Sequence, residues 1–313
     1  MTAGAAPRLQ PPVRPEREYP PLATAAATAS ATEAAAPPRR GAQSPRSPWS
    51  PWSPWSAAWG RSWVRKGVLL ALLLLAWEGL ARWQDNDLLL PTLSQTARAW
   101  VLGIFSGELL QRTGASLRVL LQGYALGVLA AFVLTTLATT TRLGRDLLTL
   151  LTAMFNPLPA IALLPLALLW FGLGTGSLIF VLVHAVLWPL ALATHAGFQG
   201  VPETLRLAGR NYGLTGLRYV LHILVPSALP SILSGLKIGW AFAWRTLIAA
   251  ELVFGVSSGK GGLGWYVFQN RNELYTDKVF AGLATVILIG LVVESVVFQT
   301  LERLTVRRWG TQR

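Results

Sequence analysis

Six stretches of this sequence are too long and too apolar to fold in water, and they constrain nearly everything else about the chain. They fall at roughly 65–83, 116–141, 148–171, 176–197, 226–254 and 279–302. About 20 mostly apolar residues in helical form cross the hydrocarbon core of a bilayer. No water reaches the backbone there, so each segment must satisfy its own N–H and C=O groups, which a helix does. The expected fold is therefore all-α, a polytopic membrane protein with six transmembrane helices. Glu78 interrupts the first stretch, and the third contains Pro157, Pro159 and Pro165. Each proline removes a backbone donor, so that span is expected to be kinked or broken near its start. The more polar residues 84–113 are expected to hold a short helix over QTARAWVLGIFSGELL outside the membrane.

Charge then sets the orientation. Charged residues make up 13% of the chain, about half the share found in soluble domains. The net charge of +13 lies largely in short connections. Arg61, Arg65 and Lys66 precede the first span, and Arg142 and Arg145 follow the second. Arg206, Arg210 and Arg218 follow the fourth, and Arg303, Arg307, Arg308 and Arg313 close the chain. The turn GLGTG at 172–176 carries no charge, and the 255–278 connection is nearly balanced. Arg and Lys gather in cytoplasmic loops, so both termini are placed in the cytoplasm. The 84–113 segment, flanked by Arg82 and holding Arg98 and Arg112, fits this pattern less well. Membrane orientation accounts for the basic balance, no groove-reading motif is present, and nucleic acid is not an expected partner.

Residues 1–60 are a separate case. They are rich in Ala, Pro, Ser and Arg and contain the repeat SPWSPWSPWS at 47–56. With frequent proline and no apolar periodicity, this segment is expected to be a disordered cytoplasmic tail. It has no apolar core followed by a cleavage site of the kind a signal peptide carries. The domains expected are thus this tail, a six-helix transmembrane domain at 61–309 and a short end at 310–313.

Catalytic signatures fall short. GVSSGKGG at 255–262 departs from the phosphate-loop spacing and follows no strand. The chain has no Cys, which excludes disulfides and thiol chemistry, and its 3 His residues show no metal-ligand spacing. No catalytic residue, metal or cofactor is expected, and energy must come from a partner or from an ion gradient.

The segment RNYGLTGLRYVLHILVPSALP (210–230) stands apart because it is amphipathic and basic between two spans. Its apolar positions recur mainly at spacings of three and four, so a short helix there presents one apolar face. Such a face suits either the membrane surface or a groove on a soluble partner, and periodicity alone does not choose. The residues do. Gly213, followed by Ile223, Val225 and Pro226, resembles the cytoplasmic signature of binding-protein-dependent ABC importer permeases. That pattern opens with Glu-Ala-Ala where this chain has Leu207, Ala208 and Gly209, so the Glu is missing; Glu203 lies one turn earlier. NPLPAIALLPLALLWFGLG (156–174), WRTLIAAELVFG (244–255), GKGGLGWYVFQNRNELYTDKVFAGL (259–283) and FQTLERLTVRRW (298–309) resemble, in order, the nitrate/sulfonate/taurine-type members.

The resemblance covers the chain from about Trp63 to Trp309. It implies a type I permease in a bacterial inner membrane, paired with a second copy of itself. It also implies two cytoplasmic ATPase subunits, which use the ATP, and a periplasmic solute-binding protein. The segment at about 200–225 becomes the element that couples the permease to the ATPase, carried by Leu207, Ala208, Gly209, Gly213, Ile223, Val225 and Pro226. The rival reading is a self-contained secondary transporter, against which the docking loop and the lack of a visible inverted repeat both count.

Charges inside the spans mark a candidate path. Lys237, Arg245 and Glu251 fall in the fifth span and Glu294 in the sixth. A charge in the bilayer interior must face protein or water. Lys237 is expected to meet an anionic solute. Arg245 and Glu251 suit ion pairs that pin helices together at least as well as they suit a solute path. His184, in the fourth span, suits a hydrogen-bonded structural role. Spans three, four and five are expected to line the path.

Overall fold

The computed structural model describes residues 62–254 and 261–305. The tail assigned to 1–60, the C-terminal residues 310–313 and most of GVSSGKGG lie outside the described residues. The described residues fall almost wholly within one compact unit, Lys66–Arg313, and the architecture below is that of this unit and of the helix that opens it. All regular structure among the described residues is helical.

Helix α1 (Ser62–Gln84) leads to α2 (Leu93–Phe105). Thr92 caps α2 in a reciprocal box: its hydroxyl accepts from the Gln95 backbone N–H, and the Gln95 side chain accepts from the Thr92 N–H. Glu78, the charge that interrupts the first apolar stretch, has a local purpose. One carboxylate oxygen accepts from the Leu93 N–H at 2.7 Å, at the positive end of α2, and the other pairs with Arg82 at 2.7 Å.

Three helices form the centre: α3 (Glu108–Thr140), α6 (Thr175–Gln199) and α9 (Leu229–Phe254). Their shared core holds Leu120, Val181, Leu182, Val186, Leu190, Ala243 and Leu247, all nearly inaccessible. Lipid is as apolar as leucine, so helices in a membrane associate through close packing, which small residues permit. Gly123 and Gly127 provide it, one turn apart on α3. A methyl group added at Gly123 would lie 2.5 Å from Leu182 Cβ, and one at Gly127 would lie 2.7 Å from Val186 Cβ.

The third apolar stretch is two helices. α4 (Arg142–Phe155) and α5 (Ala160–Phe171, opening with a 3-10 turn) meet at 89°. The break is Asn156-Pro157-Leu158-Pro159, so two of the three prolines mark its position, while Pro165 sits in the first turn of the α-helical part of α5, where its missing donor costs nothing. The fifth stretch is also bent. α8 (Gly216–Ser227) meets α9 at 83°, the chain turning at Ala228 between Pro226 and Pro230. α7 (Glu203–Asn211) precedes α8, and α10 (Leu263–Asn272) and α11 (Thr276–Leu304) complete the fold.

Helices α3, α6 and α11 are each long and apolar enough to cross a membrane, and counting each bent pair as one span gives five. The sequence predicts six. α1 is the helix outside that count: its 23 residues include Arg65, Lys66, Glu78 and Arg82.

Candidate functional site

α7 and α8 form a compact elbow at one end of the bundle, where α6 ends and α9 begins. α7 ends in a Schellman turn: the Gly213 N–H donates to the Arg210 carbonyl at 2.9 Å, and the Leu214 N–H to the Gly209 carbonyl at 3.0 Å. Gly213 has φ +70°, left-handed backbone that a Cβ disfavours. The turn brings α8 back over α7, with Gly209 beneath Tyr219 and Ile223. A Cβ at Gly209 would lie 2.9 Å from Ile223 Cγ1. α8 widens into a π turn over Val220–Leu224, and Val220 and Leu224 enter a small core with Phe198, Val201 and Ala228.

Arg206 locks the elbow to the bundle. Its guanidinium donates to the carbonyls of Phe198 (2.6 Å), Val201 (3.0 Å) and Gln199 (3.2 Å) at the end of α6. Those carbonyls lie at and just past the C-terminal end of α6, where a cation complements the helix dipole. Above this anchored base, Leu207, Leu217 and Leu221 are about half-exposed and Tyr212 is 85% exposed. The structure thus brings Gly209, Gly213 and Ile223 together as one unit. Leu207 faces outward, Val225 packs on the small core, and Pro226 lies in the last turn of α8, beyond the expected boundary at 225. Arg206, read in the sequence only as a basic loop residue, turns out to be the tie.

The charged residues of α9 separate into different environments. Glu251 is 4% exposed. The Ser116 hydroxyl lies 2.9 and 2.8 Å from its two carboxylate oxygens, and the Gly264 N–H donates to it at 2.8 Å. Ser116 in turn accepts from the Leu263 N–H at 2.8 Å. Glu251 and Ser116 together cap the start of α10. Nearby, Arg112 holds the Gly261 carbonyl at 3.2 Å. This corrects the ion-pair expectation for Glu251 and Arg245, because neither has an oppositely charged partner within 4 Å among the described residues. Arg245 is exposed, donates from Nε to the Ala241 carbonyl at 3.0 Å and stacks on Phe242 at 5.0 Å. The ion pair that does form is Lys237 with Glu294, Nζ to Oε1 2.9 Å, with side chains 48% and 61% exposed.

His184 lines a cavity of about 310 Å³ at the α4–α5 break, together with Asn156, Pro157, Pro159, Trp188, Phe242 and Thr246. Its ring meets Phe155 and Trp188 edge-on, centroids 6.3 and 6.0 Å apart. The cavity therefore touches α6, α9 and the broken pair. Ser116 carried no local signal in the sequence, because its meaning depends on a carboxylate 135 residues away.

The sequence is similar to those of known proteins. Residues 123–306 match the family described as binding-protein-dependent transport system inner membrane component. The taurine transport system permease protein of Escherichia coli is 31% identical over 231 residues, covering 72% of this chain and 82% of that protein. The nitrate import permease of Synechocystis is 28% identical over 238 residues, covering 74% and 85%. An ABC transporter permease protein of Methanocaldococcus jannaschii is 32% identical over 235 residues, covering 74% and 87%. The matched family and these relatives are membrane subunits of transporters, in keeping with a bundle of membrane-length helices. The chain belongs to the inner membrane components of binding-protein-dependent transport systems, as an ABC importer permease.

Proposed function

We propose that this permease pairs with a second copy of itself to form the path of an ATP-driven importer for a small solute bearing an oxyanion head. Six helices cross the bacterial inner membrane, α1 included, with both termini in the cytoplasm. α7 and α8 lie on that side and dock on one of two cytoplasmic ATPase subunits, which bind and hydrolyse the ATP. A periplasmic binding protein delivers the solute at the opposite end, near α10. The permease contributes no catalytic residue and holds no cofactor.

The observation that carries this reading is the elbow. Its base is fixed by Arg206, Gly209 and Gly213, while Leu207, Tyr212, Leu217 and Leu221 stay exposed. A rigid element with an uncovered apolar face supports docking into a groove on a soluble partner. The solute class is supported by the names of relatives, which specify taurine and nitrate transport. It is supported as well by Lys237 and Arg245, cations in a medium of low dielectric that favours anions. The path is lined by the α4–α5 break, α6 and α9, with His184 beside the break.

The test is reconstitution with the ATPase and binding protein in proteoliposomes. Uptake of nitrate, taurine or a short alkanesulfonate should require both ATP and the binding protein. Uptake that continues under an ion gradient without the ATPase would overturn the proposal.

A further inference from the structure

Between α9 and α11 lies a second cavity, about 360 Å³, whose lining includes Lys237, Arg245, Glu294, Ser234, Trp240 and Phe298. Lys237 and Arg245 are eight residues apart on α9, so both point to one face and stand about 12 Å apart along the axis. Glu294 is the only carboxylate in the lining, and it is already engaged by Lys237 at 2.9 Å. Arg245, on the same face, has no carboxylate partner among the described residues. The cavity thus holds two cations and one anion.

Depth makes this arrangement unusual. Lys237 lies eight residues into α9, and Glu294 ten residues before the end of α11, so both sit about 12–15 Å from those helix ends. An ion pair at that depth cannot face lipid and must face protein or water. Side chains this open, 48% and 61% exposed, also leave room for exchange of partners. α11 is locally widened here: a π turn spans Val293–Phe298 and contains Glu294. Such turns re-aim a side chain at the cost of regular hydrogen bonding and are common at functional sites.

We propose that the α9–α11 cavity is a binding site for a small monovalent anion, with Glu294 as its resident counter-ion. An arriving anion displaces the Glu294 carboxylate from Lys237, lies between Lys237 and Arg245, and is released when Glu294 returns. No bond is made or broken in the exchange. The site rests on the reading that the permease carries oxyanions, and it adds to that reading an internal competitor that keeps binding weak enough for release.

The test is direct binding to the purified permease–ATPase complex without binding protein, by calorimetric titration with sodium nitrate and with sodium methanesulfonate. Ionic strength is held constant with bulky gluconate. Glu294→Gln should tighten binding of the probe anion by about fivefold, the size of a partly exposed ion pair. Lys237→Met should abolish binding, and Lys237→Arg should restore part of it. Complex yield and melting temperature of each variant show whether it assembles. Unchanged affinity in Glu294→Gln overturns the counter-ion role. Binding that persists in an assembled Lys237→Met complex overturns the site. ATP-dependent uptake by the wild-type complex, measured separately, tests the importer reading, so failure of either leaves the other readable.

Discussion

Glu251 and Glu294 are both carboxylates within apolar helices, yet they have opposite surroundings. Glu251 is closed in and receives the Ser116 hydroxyl and the Gly264 N–H. Glu294 is open and meets a single lysine. Burial with several donors makes an anchor, because every exchange of partner leaves a buried group unsatisfied. A half-exposed pair with one partner makes an exchangeable contact, because solvent screens it and little is lost when it opens. The same chemical group thus fastens α10 at one end of the permease and guards a cavity deeper in the bundle.

The sharpest break in this comparison is Glu251→Ala, which strands the Ser116 hydroxyl and the Gly264 N–H in a buried site. It should destabilise the permease by about 3–5 kcal/mol, visible as lost yield and a lower melting temperature in detergent. Ser116→Ala removes one partner and should cost about 1–3 kcal/mol on the same measurement. At the elbow, Gly213→Ala should cost about 1–2 kcal/mol through its left-handed backbone, with a fall in uptake larger than the fall in complex yield. Lys237→Met should leave yield and melting temperature within about 0.5 kcal/mol of wild type while reducing uptake severalfold. The contrast with Glu251 fails if the two variants lose equal amounts of complex. Deletion of residues 1–58 should change least, since a Pro/Ser/Ala-rich segment has little apolar surface to bury; uptake and assembly near wild-type levels are expected.

Much of this architecture could be read from the residues. Apolar length gave the long helices, and Pro157 and Pro159 marked the break that separates α4 from α5. Gly213 stood out by its spacing to Ile223 and Pro226, and its positive φ supplies the physical reason. Other features lie in pairings between distant segments, which local patterns do not encode. Glu251 suited an ion pair at least as well as a solute path because a charge in the bilayer interior must face protein or water; its actual partners are an ordinary serine on α3 and a backbone N–H of α10. The partner of Lys237 depends on how α9 packs against α11. The extent of the bend at Ala228 was hidden too, because Pro226 and Pro230 each fit acceptably within a helical turn of α8 or α9.

The central claim is that α7 and α8 transmit ATP hydrolysis to the path, and one measurement reaches it most directly. Proteoliposomes carrying the assembled complex are assayed side by side for ATP hydrolysis and solute uptake, with wild-type permease and with Gly213→Pro. Proline cannot adopt the φ of +70° found at this turn, so the variant distorts the elbow and leaves the spans in place. The account predicts an assembled complex that hydrolyses ATP while uptake falls to background. Uptake at the wild-type rate in the assembled variant would contradict it.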